Sequence, residues 1–232
     1  ATDVVVTAGG TTNNSDVILG DEKSRISGHV MAPDGSPLPN IQVTAYMRST
    51  MMGNESLVEV RNTSTDASGN YSVAALDAGT YFLRFLDQSG VYAFEYYNNA
   101  NSLTTATPIP VPQDTVVSNV DIVLAAGGKI TGSVRMYDGR TDLGFMVGVY
   151  QLDGTEWRYL FWKSFPVMDG LNPVNDGTYA INGLAAGTYR LAVNTYYQGS
   201  DYTEYYLNAK ELAAATDVVV TAGGTTNNSD VI

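Results

Sequence analysis

One 18-residue segment occurs twice in the sequence. Residues 1–18 and residues 215–232 both read ATDVVVTAGGTTNNSDVI. Their starting positions differ by 215 − 1 = 214 residues, and self-similarity at a fixed period is typical of repeat architectures. We therefore interpret the sequence as one 214-residue repeat followed by the first 18 residues of the next, cut from a longer tandem array.

Residues 25–124 have the spacing of β-strands joined by tight turns. Ile41, Val43 and Ala45 alternate with polar residues, as in a half-buried strand. PDGSPLPN at 33–40 has proline and Asp-Gly where a turn needs them. Further strands are predicted at 57–61, 92–97 and 116–124, a loop is predicted at 47–56, and residues 116, 120, 122 and 124 are expected to share one buried face.

The rest of the sequence repeats this pattern in diverged form. DGTYAINGLAAGTYRLAV at 176–193 aligns with SGNYSVAALDAGTYFLRF at 68–85, an offset of 179 − 71 = 108 residues. ATDVVV at 215–220 aligns with ATPIPV at 106–111, an offset of 215 − 106 = 109. Each period thus contains two related units of the size of a β-sandwich. The predicted domains are residues 1–19, the last strands of a preceding repeat's second domain, then 20–127 and 128–232.

The first half carries IxGxV, PDGxPLPNIxV and TDxxGxYxxxxLxAGTYxLxF in this order, from Ile26 to Phe85. In these motifs the chain resembles the carboxypeptidase regulatory-like, transthyretin-like (prealbumin-like) β-sandwich family, which is related to collagen-adhesin B-type stalk modules. The resemblance implies an all-β fold with two tandem Ig-like or transthyretin-like Greek-key sandwiches per repeat. It also implies a spacer role in secreted enzymes and surface adhesins, with no catalytic residues to carry over.

Composition excludes several classes of function. The chain has 24 acidic and 12 basic residues and a net charge of −12, whereas nucleic acid and anionic membranes bind clustered lysine and arginine. It has no cysteine, so disulfides and thiolate metal sites are excluded. No run of 18 apolar residues is present, so we expect no membrane insertion within this sequence.

The sequence predicts neither an enzyme nor a cofactor site. His29 is the single histidine and has no nucleophile motif beside it, so we interpret it as a surface strand residue. Acidic turns at 66–70 and 175–179 contain oxygen ligands that suit calcium, but Asp-Gly turns need no metal. We expect no metal, with calcium left open.

Aromatic residues are more numerous than the alternating core positions require. In adjacent pairs one ring points inward and the other outward, and exposed tyrosine and tryptophan are favoured at interfaces. We expect contacts between domains, and sugar stacking is the alternative. The interface candidates are Tyr96, Tyr97, Trp157, Trp162, Tyr196, Tyr197, Tyr205 and Tyr206.

Two kinds of covalent modification are compatible with the sequence. Lys129 begins a first strand and Asp230 lies in a last strand, which is the placement for an isopeptide bond; the first half has Arg25 in place of the lysine, and arginine cannot form this bond. Asn-x-Ser/Thr triplets, expected in turns, make glycosylation candidates of Asn13, Asn54, Asn62, Asn70 and Asn227.

The function that the sequence favours is structural. Only a few residues separate one unit's last strand from the next unit's first, at 19–25 and 124–129, and short connections restrict rotation. We expect an extracellular or cell-surface filament, stalk or fibre whose partners are further copies of the repeat. A carbohydrate-binding or adhesin module, with glycans as partners, is the alternative. A third possibility, ranked below covalent continuity, inserts residues 1–18 into a neighbouring subunit as a donor strand.

Overall fold

The computed structural model of the chain is built almost entirely of β-strands. It describes residues 8–10, 24–51, 54–102, 104–135, 139, 144–165, 168–169, 172–173, 176–197, 200–227 and 229–231. Residues 1–7 and 11–18, where strands were predicted, lie outside the described residues. Residues 8–9 form a turn. The predicted all-β fold is confirmed.

The first half forms two sheets. Its strands are β1 Ser24–Met31, β2 Gln42–Met51, β3 Asn54–Ser64, β4 Asn70–Leu76, β5 Gly79–Leu86, β6 Glu95–Tyr96, β7 Ile109–Val111, β8 Val116–Val117 and β9 Ile122–Val123. In one sheet β1 pairs antiparallel with β4 and parallel with β8 and β9. In the other sheet β2 lies between β3 and β5, and β5 also pairs with β6 and β7.

The second half repeats this arrangement. Its strands are β10 Gly128–Ser133, β11 Phe145–Asp153, β12 Glu156–Phe165, β13 Met168–Asp169, β14 Asn172–Pro173, β15 Thr178–Leu184, β16 Gly187–Tyr197, β17 Ser200–Tyr205, β18 Val218–Val220 and β19 Thr225–Thr226, with a 3-10 helix at Leu212–Ala214 before β18. β10 pairs with β15 and β19, and β16 pairs with β11, β17 and β18.

The pairing registers agree with the internal alignment. Tyr81 of β5 faces Ile109 of β7, and Tyr189 of β16 faces Val218 of β18. These two pairs are the residues that the offsets of 108 and 109 bring together. ATDVVV at 215–220 therefore occupies the position in the second half that ATPIPV occupies in the first.

Each half has its own apolar core between its two sheets. In the first half Ile26 and Val30 of β1 pack with Val43 of β2 and Leu83 of β5. The second core is built from the corresponding elements; its members include Ile130, Val147, Ile181, Leu191, Val218 and Val231. Burial of these side chains supplies the main driving force for both halves.

The TDxxGxY motif closes one edge of the first sandwich. The Asp66 carboxylate accepts hydrogen bonds from the backbone N–H groups of Asn70 and Ser68, each at 2.9 Å, which lowers the pKa of Asp66. Gly69 has a φ of +78° and lies so close to Val30 that a Cβ would be 2.6 Å from its carbonyl oxygen. Only glycine fits this turn without strain.

Two buried tyrosines in each half donate hydrogen bonds from their hydroxyl groups to backbone carbonyls. The Tyr71 hydroxyl donates to the carbonyl of Val120 at 2.6 Å, and Tyr179 does the same to Ser229 in the second half. Burial raises the pKa of both phenols. Tyr81 and Tyr189, from the two AGTY sequences, donate to carbonyls four residues earlier, at 2.8 and 2.7 Å.

Three local predictions were wrong. Residues 47–51 and 54–56, predicted as loop, lie in β2 and β3, because these strands pair with each other as far as Met51 and Asn54, past Tyr46, where the pairing of β2 with β5 stops. The strand predicted at 92–97 is limited to β6, because the chain before it leaves the sheet to contact the linker and the second half. The strand predicted at 116–124 is two short strands, β8 and β9, and residues 118–121 between them are outside any strand. Within it Val116 is exposed, and Val117 contacts the core in its place.

No helix among the described residues is long and apolar enough to cross a membrane. Within the same residues, no group of three or more His, Asp or Glu side chains is arranged to hold a metal ion.

Candidate assembly interface

The linker between the halves, residues 124–127, is hydrogen-bonded on both sides. The N–H of Ala93 donates to Ala125 at 2.9 Å, and the N–H of Gly127 donates to Val91 at 2.8 Å. From the second half, the N–H of Gly223 donates to the carbonyl of Ala126 at 3.0 Å. These bonds hold the linker in one conformation, so the two halves are not joined by a free hinge.

Phe94 of the first half belongs to the core of the second. Its side chain is 9% exposed and lies in the cluster with Ile130 and Leu184, and Leu86 packs against the same cluster. The N–H of Phe94 donates to the carbonyl of Gly183 at 3.0 Å. The apolar core of the second half thus extends across the junction to two side chains of the first half.

Three glycines let the backbones of the two halves touch. Gly183 has a φ of +74°, and a Cβ there would lie 3.1 Å from the Cα of Gly90. A Cβ on Gly127 would lie 2.9 Å from the Cα of Gly183. Side chains at these positions would force the halves apart.

A polar network borders the apolar contact. The carboxylate of Asp153 accepts a hydrogen bond from Thr104 of the first half and forms an ion pair with Arg158, with 2.9 Å between Oδ2 and Nε. Burial alone would raise the pKa of Asp153, but the hydrogen bonds from Thr104 and Ser102, together with Arg158, outweigh it and lower the pKa. Asn101 also donates to the carbonyl of Ala186 at 3.1 Å.

Glu95 is a buried carboxylate beside the linker. It is 6% exposed, and its Oε1 accepts a hydrogen bond from the N–H of Ala125 at 3.3 Å. Removal from water raises the pKa of Glu95, and this hydrogen bond offsets only part of the effect. Glu204, at the corresponding position of the second half, is half-buried and paired with Lys210.

The two halves meet end to end. β9 runs parallel to β1 and leads from Val123, opposite Met31, through the linker into β10 at Gly128. β1 therefore runs toward the junction and β10 runs away from it. Ser24 and Val231, the latter paired beyond the end of β10 with Val134, lie at opposite ends of the molecule.

The predicted interface aromatics are distributed over both halves of the chain. Tyr96 packs with Phe82 on the outer face of the first half, while Tyr97 and Tyr206 pack against the two cores. The guanidinium carbon of Arg190 lies over the Trp157 ring, 4.3 Å from the ring centre. The remaining candidates are Trp162 on β12, Tyr196 and Tyr197 at the end of β16, and Tyr205 at the end of β17.

One aromatic surface is formed on the outer face of β11 and β12. Tyr159 is 50% exposed and Trp162 is 38% exposed, with 6.3 Å between their ring centres. Tyr150 contacts Tyr159 edge to face at 5.7 Å, and the Trp162 ring covers Gly148. We call Tyr150, Tyr159 and Trp162 the aromatic face. The sequence singled out Trp162 and missed its two neighbours.

Lys129 and Asp230 are not brought together. Lys129 faces Thr225, whereas the Asp230 carboxylate accepts hydrogen bonds from the N–H and hydroxyl of Ser133 at 2.7 and 2.8 Å. Ser133 lies four residues along β10 from Lys129, which is about 13 Å in a strand. A different lysine, Lys163, lines a groove of about 860 Å³ with Asp230 and donates to the carbonyl of Ala180 at 2.9 Å.

The glycosylation candidates differ in their surroundings. Asn13 lies outside the described residues, and Asn54 begins β3. Asn62 is exposed but lies within β3 rather than in a turn, and donates to Glu59 at 2.7 Å. Asn70 donates to the Asp66 carboxylate. Asn227 accepts a hydrogen bond from the Thr131 hydroxyl at 2.8 Å.

Sequence reasoning missed Phe94 and Gly183, although the internal alignment contains a signal for both. Gly183 corresponds to Ala75, and Phe94 corresponds to Thr203. Both positions are departures within otherwise similar blocks, and both are at the junction. At these two positions the difference between the halves coincides with a contact across the junction.

The paired sheets, parallel closing strands and buried tyrosines define a β-sandwich. Residues 25–125 match the family model of the carboxypeptidase regulatory-like domain. The first half is therefore similar to the carboxypeptidase regulatory-like domain, and the resemblance that its motifs indicated is confirmed. No curated protein matches the sequence.

Several solved structures are similar to the chain. The Bacillus anthracis TIE protein is 14% identical with a TM-score of 0.34, over 90% of this chain and 34% of that chain. A streptococcal ancillary pilin is 15% identical with a TM-score of 0.33, over 91% and 63%. GBS52, the minor pilin of Streptococcus agalactiae, is 12% identical with a TM-score of 0.37, over 90% and 94%. This chain thus spans about a third of the first protein and under two thirds of the second.

Proposed function

We propose that this chain is a structural unit of an extracellular filament, stalk or cell-surface fibre. The observation that carries the proposal is the junction between the halves, where two related sandwiches stack end to end through a fixed linker. A contact that shares core side chains and backbone hydrogen bonds transmits orientation from one half to the next. Units added in this way extend a rod.

The partners of the unit are further copies of itself. The proposed arrangement has residues 20–127 and 128–232 as two domains of one repeat, and residues 1–19 as the closing strands of a preceding repeat. It is supported by the 214-residue period and by the position of residues 218–231 in the second half. Identical units that add at one end with a constant rotation generate a helical filament.

The role is structural rather than enzymatic. The net charge of −12 favours solubility and repulsion between neighbouring rods, and disfavours nucleic acid as a partner.

Immunogold electron microscopy of intact source cells tests the proposal. Antibodies raised against this chain are expected to label filaments outside the cell, with labels along the filament length. Label confined to the cytoplasm, or filaments that stay unlabelled when the protein is abundant, would contradict the proposal.

The aromatic face supports a second candidate function, recognition of glycans. Exposed rings on a flat strand surface stack on the apolar faces of sugars, and Tyr159 and Trp162 are exposed. On this alternative, the full chain binds specific glycans on an array, and Trp162→Ala lowers that binding at least tenfold. Tyr202→Ala, a change to an exposed tyrosine on another strand, is the control and should leave the binding intact. If the unmodified chain binds no glycan, this alternative fails.

A further inference from the structure

Residues 215–232, which we call the closing segment, complete both sheets of the second half. β18 pairs with β16 in one sheet, and β19 pairs with β10 in the other. Val218, Val220 and Val231 are core residues, none more than 3% exposed. We call the surface that receives this segment, from β16 across to β10, the slot.

Polar contacts fix the register of the closing segment. The Asp217 carboxylate pairs with Arg190 at 2.7 Å, and Asp230 accepts from Ser133. The N–H of Val231 donates to Ser133 at 2.9 Å, and the N–H of Arg135 donates to Val231 at 3.0 Å. Residues 1–18 have the same sequence, and Asp3, Val4, Val6, Asn13, Asp16 and Val17 correspond to Asp217, Val218, Val220, Asn227, Asp230 and Val231.

We propose that the slot binds residues 1–18 of a second copy of this chain, in the register that the closing segment adopts here. This inference rests on the proposed function, and it takes the repeat that residues 1–18 close to be a separate copy of the chain rather than a preceding part of the same polypeptide. Because the two segments have identical side chains, a neighbour's segment makes the same contacts in the slot as the resident one.

A chain cannot fill its own slot with residues 1–18. In that register residue 18 follows Val17, whose counterpart is hydrogen-bonded to Arg135 near the end of β10. The six steps from residue 18 to Ser24 reach at most about 22 Å. β1 and β10 each span about 20 Å along the molecule and run on opposite sides of the junction, so Ser24 lies roughly 40 Å from that end. The segment therefore binds in trans, which links copies head to tail.

The resident segment and the neighbour's segment compete on unequal terms. A segment tethered by a short loop has an effective concentration on the order of mM, so the resident wins in dilute solution. In a filament the ends of adjacent copies are held together, and the neighbour's segment then competes at a similar effective concentration. Exchange thus links copies where they are already aligned, and dilute chains remain monomeric.

Disulfide trapping in the full chain tests the exchange, since the chain has no cysteine of its own. Thr188 faces Val219 across β16 and β18, and Val219 corresponds to Val5, so a Thr188→Cys, Val5→Cys variant reports a neighbour's segment in the slot. Val218→Asp and Val220→Asp are added to weaken the resident segment. We expect a ladder of dimers, trimers and larger species on non-reducing gels under mild oxidation.

The register control replaces Val5→Cys by Thr7→Cys in the same background. Residues two positions out of register lie too far apart for a disulfide, so this variant is expected to give less than a tenth of the ladder. Equal ladders in both variants, or none in either, would overturn the inference. As a measurement that needs no weakened segment, Thr188→Cys, Val5→Cys alone should give a ladder that grows with concentration toward the millimolar range, and its absence there also overturns it.

The two proposals fail separately. Labelled filaments on cells together with no ladder would remove strand exchange and leave the filament role intact. A register-specific ladder from a protein that is found only inside the cell would do the reverse.

Discussion

At the scale of single residues, the buried carboxylate of Glu95 lowers the stability of the folded chain but fixes the position of the linker. A carboxylate buried beside the linker costs free energy when it is charged, because few groups replace its lost water. Among the described residues, the N–H of Ala125 donates a hydrogen bond to this carboxylate, and this contact holds the linker at the junction. The residue thus anchors the linker at the expense of an incompletely compensated charge.

Glu95→Gln is expected to stabilise the chain at neutral pH. The folded state raises the pKa of Glu95, so it binds the proton more tightly than the unfolded state does, and stability falls as pH rises from the ordinary carboxyl pKa through the raised one. The amide keeps the acceptor and removes the charge. We expect the Tm at pH 7 to rise by roughly 2–4 °C, the shift for about 1 kcal/mol in a chain of this size.

Thermal unfolding followed by circular dichroism at several pH values measures this effect. The gain should disappear toward about pH 4, where a glutamate is largely protonated even when unfolded. Glu204→Gln is the matched control, because Glu204 is paired with Lys210 at the surface, and it should not raise the Tm. A gain that is the same at pH 4 and pH 7 would contradict the explanation.

At the scale of elements, close approach between β10 and the closing segment depends on Gly132. A Cβ at this position would overlap the carbonyl oxygen of Ser229 and lie 2.8 Å from the Tyr179 hydroxyl oxygen. Gly28 has the same relation to Val120 in the first half. The glycine of the IxGxV motif thus allows the closing strand to pack directly on the first strand.

Gly132→Ala is therefore expected to destabilise the second half by about 1–3 kcal/mol, the usual cost of overpacking. Urea denaturation followed by tryptophan fluorescence measures it, since both tryptophans lie in β12 of that half. Gly187→Ala is the control: its nearest neighbour is the flexible end of Gln151 at 3.4 Å. If both variants unfold at the same urea concentration, a Cβ at position 132 is tolerated and the predicted destabilisation by overpacking is wrong.

Elements with a strong local signal could be predicted from the sequence. The AGTY strands, the TDxxGxY turn and the closing strands lie where alternation and glycine positions indicated. The extension of β2 and β3 into residues 47–51 and 54–56 could not be predicted, because MRSTMMGNES has no regular alternation and these parts of the two strands are held by pairing with each other. The sequence made Lys129 and Asp230 a candidate pair, but the pairing register, which the sequence does not give, separates them along β10.

At the scale of the whole molecule, the junction was predicted only in outline. Short linkers indicated restricted rotation, but the contacts that restrict it come from Phe94, Gly183 and Asp153, which are distant in sequence. Phe94 lies just before β6 and enters the core of the other half, so the local alternation pattern could not reveal its position. We therefore expect the relative orientation of the two halves to depend on this tertiary contact more than on linker length.

Phe94→Ala is expected to uncouple the two halves without unfolding either. It removes an aromatic side chain from the shared core, and truncations of this kind cost about 3–5 kcal/mol, while each half keeps its remaining core. Residual dipolar couplings should fit one alignment tensor for both halves in the unmodified chain and two different tensors in the variant. Leu76→Ala is the control, because it empties a buried site at the end of the first half away from the junction and should keep one tensor. One tensor in Phe94→Ala as well would mean that the linker hydrogen bonds alone fix the orientation, and the shared core would then not be what makes the unit rigid.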